Sequence, residues 1–440
     1  MKFHKTENYQ DVVGKLFPNE VETQDNLPRT ITFAVCDYCN LSCVYCYEHH
    51  KQNHSMSFDT AKKFIDMILD ADANTTQYID SNNVAGAIIE FIGGEPFLEI
   101  DLIDKISDYF VQQCILRNHP WATRHMFSIC SNGVLYFDPK VQSYIRKHRN
   151  NLSLSISIDG NKELHDSCRV FPDGSGSYDI AIKAVKHYMS EYGKDMGSKM
   201  TLCPENIQYT FEAVKSLIGD GYYDINLNCV YEEGWNIEHA KILYEKLKEL
   251  SDYVIDNDYY DRHISIFEQK FFHPKSKDDT QTWCGAGGGK MIAIDYSGDI
   301  YPCVRFMPMS LGDKVPAAVI GNVNDGIMVK QEHKDCAHCI QNITRLNQST
   351  EECINCLIAE GCADCQGYNY EISGNFHTRA TYICIMHKAR SLANAYYWNK
   401  LFRKLGENKR FKIWLEDDEA LKIISQEELD YLKDLSSCEH

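Results

Sequence analysis

Three cysteines are spaced as Cys39-x3-Cys43-x2-Cys46, in the run Cys39-Asn-Leu-Ser-Cys43-Val-Tyr-Cys46. Soft thiolates suit an iron–sulfur cluster, and a four-iron cluster with only three protein ligands keeps one iron open for another molecule. An open iron implies chemistry rather than electron storage alone. The competing reading is a structural zinc site, which wants four closed ligands and could recruit Cys36 as the fourth.

Of the 19 cysteines in the chain, nine lie between Cys284 and Cys384. Cys284 is followed after 13 residues by Gly298 and, four residues further, by Cys303. Then come Cys353-x2-Cys356-x5-Cys362-x2-Cys365 and Cys384. Paired Cys-x2-Cys units also fit zinc knuckles. Cys336-Ala-His-Cys339 reads as a redox pair, a small metal site or an added cluster ligand, and the redox reading lacks a thioredoxin-like context. Cys130, Cys168, Cys203 and Cys229 have no partners at ligand spacing and read as core or incidental thiols.

The elements that must hold these residues alternate. Short apolar runs at Thr30–Val35, Ala87–Ile92, Arg124–Ile129, Leu152–Ile158, Lys199–Leu202 and Ile225–Asn228 read as strands. Amphipathic helical patterns lie between them, such as Phe58–Ala71, where Ser57 is the expected N-cap and Ala61, Phe64, Ile65 and Ile68 recur at helical spacing. Such alternation predicts a parallel sheet with helices outside it, closed or partly closed as a barrel, with its active site at the C-terminal strand ends. The first cysteine run follows the first strand directly. From Trp235 to Thr282 the chain is polar and aromatic-rich, with a helix pattern at Ile237–Ile255 and a His- and Lys-rich linker after it. Beyond Cys384 the pattern is helical, and the charged stretch Glu416–Glu419 reads as a solvated face.

At 440 residues and 44% hydrophobic composition the chain can bury more than one core. A net charge of −18 disfavours nucleic acid and anionic membranes as partners and leaves a basic or neutral peptide easier to accommodate. Residues 1–26 lack the apolar core of a secretory signal, and no stretch reaches the roughly 20 apolar residues of a membrane helix, so a cytoplasmic location is expected. In a reducing compartment so many cysteines point to metal or cluster ligation rather than disulfides.

The first cysteine run, with Tyr45 before its third cysteine, resembles the signature of the radical S-adenosylmethionine (SAM) superfamily. The resemblance continues through Ile89-Glu-Phe-Ile-Gly93-Gly94-Glu95-Pro96, Ser131-Asn132-Gly133, Ser155-Ile-Ser157-Ile-Asp159-Gly160 with His165-Asp166 and Arg169 after it, Gly174-Ser-Gly-Ser-Tyr178, and Thr201-Leu-Cys-Pro-Glu205-Asn206. It implies that the open iron of the cluster on Cys39, Cys43 and Cys46 chelates SAM. One electron then cleaves SAM to methionine and a 5'-deoxyadenosyl radical, which abstracts hydrogen from substrate. It further implies SAM contacts from Tyr45, from Gly93, Gly94 and Glu95 to the amino group, from Ser157 to the ribose, and from backbone at Leu202 near the adenine. Asp159 has a second reading as a helix cap.

The second block resembles a SPASM domain, which holds two auxiliary 4Fe-4S clusters, so three clusters are implied in all. By that resemblance Cys353, Cys356, Cys362 and Cys384 ligate an outer cluster, and Cys284, Cys303 and Cys365 an inner one. One departure is that two residues, Ala363 and Asp364, separate the last two clustered cysteines where the family usually has three. Another is that Lys277, Asp278 and Asp279 stand where some members carry the inner cluster's fourth cysteine. Either Cys336 or Cys339 fills that position, or the iron is open to a substrate thiolate.

The implied fold is a partial (β/α)6 TIM-like barrel over residues 30–230, after an N-terminal extension of residues 1–29. A bridging region (231–282), a small cysteine-rich auxiliary cluster domain (283–390) and C-terminal helices (391–440) follow. The stretch Gly361-Cys-Ala-Asp-Cys-Gln-Gly-Tyr-Asn-Tyr-Glu371 resembles maturases that install thioether crosslinks in ribosomally made peptides. The expected partners are a precursor peptide and a reductant such as flavodoxin or ferredoxin. Many such maturases begin with a winged-helix peptide-binding domain of roughly 80 to 90 residues, and here about 29 precede the first strand. Leader recognition would therefore need a separate protein, the region Trp235–Thr282, or nothing. Formylglycine formation on a sulfatase and peptide carbon–carbon crosslinking are the alternative reactions.

Overall fold

A computed structural model describes residues 27–48, 50–193, 196–232, 234–276 and 284–437. The expected N-terminal extension lies almost wholly outside these residues, as do Lys277, Asp278 and Asp279.

Strands form where the apolar runs predict them. β1 (Arg29–Cys36), α1 (Phe58–Leu69), β2 (Ala87–Gly93), α2 (Ile100–Leu116), β3 (His125–Ser131), α3 (Pro139–His148) and β4 (Leu152–Ile156) alternate along the chain, and the four strands pair side by side, all parallel. Parallel neighbours require a crossover, which each helix supplies. In α1 the Ser57 hydroxyl accepts the Thr60 N–H at 3.0 Å, and Ala61, Phe64, Ile65 and Ile68 form the stripe buried on the sheet. α4 (Lys162–Cys168) and α5 (Tyr178–Tyr192) lead to β5 (Ser198–Leu202), α6 (Thr210–Gly219) and β6 (Asp224–Cys229). β5 pairs with β6 and not with β4, so the ladder opens between β4 and β5 and the barrel is partial.

After α7 (Ile237–Asp256), β7 (His263–Ile264) joins β6. β8 (Met291–Ile294) then runs parallel to β1 on its free edge, and β9 (Asp299–Tyr301), β10 (Gly321–Asn322) and β11 (Gly326–Ile327) continue outward as antiparallel strands. The strands of the second cysteine region therefore extend the sheet of the first. The turn between β8 and β9 needs Gly298, whose φ is +89° and whose missing Cβ would meet Val323 at 2.7 Å.

Among the described residues, four longer helices close the fold, with single helical turns between some of them: α8 (Gln331–Gln341), α9 (Gln366–Ser373), α10 (Cys384–Leu405) and α11 (Gln426–Ser437). The stretch that reads as a linker is packed as far as it is described. Phe267 stacks on Tyr397 at 4.2 Å, and the Asn394 amide donates to Ile266 O and accepts from Glu268 N at 2.9 and 2.8 Å. The acidic stretch near residue 416 is not wholly solvated either, because Glu419 accepts from Lys388 of α10 at 2.5 Å. Among the described residues no helix is long and apolar enough to cross a membrane.

Candidate functional site

The loop that follows β1 carries the first cysteine set and is pinned from three directions. Asp37 receives His54 N at 2.7 Å and its ring Nδ1 at 2.8 Å. From the β2 side, Gly94 N donates to Cys36 O and Glu95 N to Tyr38 O, at 3.2 and 3.0 Å. On the α4 side, Ser42 N donates to Val170 O and Val44 N to Cys168 O, at 2.7 and 3.0 Å.

These constraints bring Cys39, Cys43 and Cys46 together. Burial pushes the Cys39 thiol up to about 11 and also raises Cys43, with Cys43 acting on Cys39 and Cys46 on Cys43. Crowded thiols hold their protons unless a metal neutralises them. Two donors already aim at Cys39 Sγ: Leu41 N at 3.4 Å and Asn132 Nδ2 at 3.8 Å. Cys36 stands apart, 1% exposed, and its thiol faces the carbonyls of Tyr38 and Glu95 at 3.5 Å.

Gly93, Gly94 and Glu95 lie against this loop. A Cβ on Gly94 would sit 2.3 Å from the Tyr38 carbonyl carbon and 2.8 Å from Cys39 N, both backbone atoms that cannot swing away. Gly94→Ala is therefore expected to cost about 3 kcal/mol and to displace the Cys39 loop. Urea unfolding checks the first effect and iron bound per chain the second. Glu95 is 1% exposed and accepts from Ser131 Oγ at 2.7 Å, Asn132 N at 2.8 Å and Phe97 N at 3.0 Å. Burial lifts its carboxyl to about 6 against the pull of those donors. Glu95 thus latches the end of β2 to the Ser131–Asn132 turn, and Asn132 Nδ2 reaches Asn40 Oδ1 of the cysteine loop at 2.6 Å.

Ser157 is buried, with its hydroxyl 3.7 Å from Cys130 Sγ. The Leu202 side chain is fully buried at the end of β5, and its carbonyl accepts Val230 N at 2.9 Å. Asp159 does not cap the next helix, since Asn161 does so through Leu164 N at 2.9 Å. Instead, Asp159 accepts from the Tyr45 hydroxyl, from Arg169 Nε at 2.9 Å and from Thr201 N at 3.2 Å. The Arg169 guanidinium also lies over the Tyr45 ring, 5.3 Å from its centroid. This hub joins the cysteine loop, α4 and β5. The motif spacing pointed to Asp159 and Arg169, but not to their partnership with Tyr45.

Below these groups the barrel interior is polar. Thr32 Oγ1 donates to Glu90 at 2.7 Å, and Glu90 and Cys130 both act on the Lys199 ammonium. β2 and β5 belong to different sheets, so Glu90 acts on Lys199 from across the barrel interior. The Lys199 side chain is exposed.

The second region gathers its cysteines in two sets. Cys362 has Cys384, Cys356 and Cys353 as neighbours, and burial drives its thiol to about 12. Arg379 Nη2 donates to Cys362 Sγ at 3.3 Å. Cys303 senses Cys284 and Cys365, and Cys284 senses Cys365. Cys339 is exposed on α8. Cys336 is half-buried, with Cys339 acting on its thiol, and it neighbours the Tyr78 hydroxyl along with Cys284 and Cys303.

These sets fit iron–sulfur clusters better than zinc. Among the described residues no three cysteine sulfurs lie within 4.8 Å of one another. Zinc, at about 2.3 Å from each thiolate, would hold four sulfurs about 3.8 Å apart. Beside Cys365 in the chain, both amide atoms of Gln366 are buried without a hydrogen-bond partner among the described residues. One further cluster of metal-capable groups, Asp104, Asp108 and His148, lies on the outer helices, where Lys147 already bridges the two carboxylates at 2.8 and 2.5 Å.

Comparison with known proteins agrees with this geometry. The family described as a 4Fe-4S single cluster domain matches residues 29–164. A radical SAM cyclopropyl synthase of Paramaledivibacter caminithermalis is 23% identical over 84% of this chain and 74% of its own length. A serine-type anaerobic sulfatase-maturating enzyme of Bacteroides thetaiotaomicron is 21% identical over 79% of this chain and 84% of its own. Among solved structures, native anSMEcpe with bound AdoMet and Cp18Cys peptide superposes with a TM-score of 0.61, covering 86% of this chain and 99% of that one at 17% identity, a likeness of fold. The three-cysteine loop, partial barrel and second cysteine region thus stand in a chain that is similar over most of its length to a radical SAM enzyme and a sulfatase-maturating enzyme and shares the fold of an AdoMet-bound structure.

Proposed function

We propose that this enzyme matures a ribosomally made peptide, holds three 4Fe-4S clusters, and joins a peptide carbon to a cysteine sulfur as a thioether. The observation that carries the reading is the polar barrel interior, where Thr32 bonds Glu90 and where Glu90 and Cys130 act on Lys199. Tyr47, which follows Cys46, has both Glu90 and Arg305 as charged neighbours, so the lumen leads from the first cysteine set toward the inner one. A chain segment threaded there would lie between the two. When loaded, the clusters supply the 5'-deoxyadenosyl radical from SAM and an acceptor for the electron that the peptide leaves behind.

The residues do the rest by position. Asn132, Glu95 and Asp159 hold the cysteine loop against the strand ends, and Ser157 offers its hydroxyl to the ribose. As the carbon–sulfur bond forms, the peptide gives up one hydrogen from carbon to the deoxyadenosyl group, while the thiol releases a proton and the bond-forming step an electron. Residues 283–390 would form the auxiliary cluster domain, and a flavodoxin or ferredoxin would supply electrons. Peptide as substrate is supported by the sulfatase-maturating relative and by the peptide-bound structure of similar fold.

Anaerobic co-expression with a cysteine-rich precursor peptide, followed by thiol alkylation and mass spectrometry, tests this. The product should be two hydrogens lighter, with one cysteine no longer alkylated. Loss of two hydrogens with every thiol still alkylated would assign carbon–carbon crosslinking, and loss of a cysteine sulfur with gain of an aldehyde would assign formylglycine formation. Either result would sink the thioether reading.

A further inference from the structure

One guanidinium touches both cysteine regions. Arg305, two residues beyond Cys303, lies over the Tyr47 ring at 5.2 Å and over the Tyr368 ring at 5.6 Å. Tyr47 follows Cys46 directly, and Tyr368 is three residues past Cys365. A Cβ on Gly367 would sit 2.4 Å from Arg305 Cβ, so α9 is seated on this side chain. Arg305 pairs with Glu371 at 3.2 Å and Glu232 at 3.3 Å, and Glu371 also takes Lys314 at 2.9 Å. Its side chain is 13% exposed, and its Nε has no hydrogen-bond partner among the described residues. Arg305 is also the cation acting on the Cys365 thiol.

A permanent positive charge in a poorly solvated pocket stabilises whichever state of a neighbouring group carries more negative charge. For an iron–sulfur cluster that is the reduced state, and net charge and outer hydrogen bonds are what set its potential. The carboxylates of Glu371 and Glu232 partly offset the effect. We infer that Arg305 is a positioning residue that clamps the first cysteine loop to α9 and raises the reduction potential of the inner cluster, making that cluster the better electron acceptor. The inference rests on the reading that Cys284, Cys303 and Cys365 hold a cluster.

The test uses the full-length chain with Cys39→Ala, Cys43→Ala and Cys46→Ala, reconstituted with iron and sulfide so that only auxiliary clusters remain. Potentials are read by potentiometric titration followed by electron paramagnetic resonance. Arg305→Gln is expected to lower the potential of one cluster and leave the other unchanged. Arg305→Lys should restore most of that shift, because it keeps the charge. Glu371→Gln should move the same cluster the opposite way, an arm that still decides the matter if Arg305→Gln fails to fold. Unchanged potentials in Arg305→Gln at full iron content, or equal shifts in Gln and Lys variants, would overturn the inference. Iron for only one cluster in the parent variant would instead overturn the reading beneath it.

Discussion

A chain carrying Cys39→Ala, Cys43→Ala and Cys46→Ala is expected to form no 5'-deoxyadenosine from SAM while keeping the iron of its second cysteine region. The two cysteine regions share a sheet through β1 and β8, but their thiols form separate sets. On the proposed reading, removing the first set deletes the site where SAM would meet iron and leaves Cys284, Cys303, Cys365 and the Cys362 set in place. The loss should be complete rather than graded, since an open iron cannot be replaced by a nearby side chain. Chromatography of the SAM cleavage products and iron analysis per chain are the two measurements. Residual 5'-deoxyadenosine above the enzyme-free control would show that SAM cleavage starts elsewhere.

Replacing Asp159 with asparagine is expected to cost about 3 to 5 kcal/mol, the usual penalty for breaking a buried ion pair. Asp159 is fully buried and Arg169 is 9% exposed, so loss of the carboxylate leaves an unpaired guanidinium out of reach of bulk water. Asparagine keeps one oxygen and puts an NH2 in place of the other, so either Thr201 N, which uses Oδ1, or Tyr45, which shares Oδ2 with Arg169, also loses its acceptor. The damage reaches the cysteine loop because Ser42 and Val44 bond to the carbonyls of Val170 and Cys168 on either side of Arg169. Denaturant unfolding should show the loss, and SAM cleavage should fall with it. An Asp159→Asn, Arg169→Met double variant should be more stable than the single one, since no buried charge is left without a partner. Equal stability of single and double variants would mean that the pair is not what holds this corner.

Much of the fold was legible because its signals are local. A parallel strand buried on both faces must be a short apolar run, and the helix that returns the chain must show a stripe at helical spacing, so β1 to β6, α1 and α7 could be read directly. The opening between β4 and β5 could not be read, because strand pairing depends on twist and on neighbours distant in sequence. Nor could the docking of β8 onto β1, which joins residues 30–33 to 291–294. The stretch taken for a linker is rich in His and Lys, yet Phe267, Ile266 and Glu268 meet α10 more than 120 residues later.

For the site, sequence alone singled out the candidate ligands. Spacing within Cys39–Cys46 and within Cys353–Cys365 is a local property, and thiolate chemistry follows from residue type. What surrounds each thiol was decided only by the tertiary structure. It separated exposed Cys339 from half-buried Cys336 on one helix, gave Asp159 to Tyr45 and Arg169 instead of a helix end, and placed Arg305 between the two regions. The physical reason is that burial and electrostatic partnership are properties of enclosed space, which forms only when segments far apart in the chain close around it.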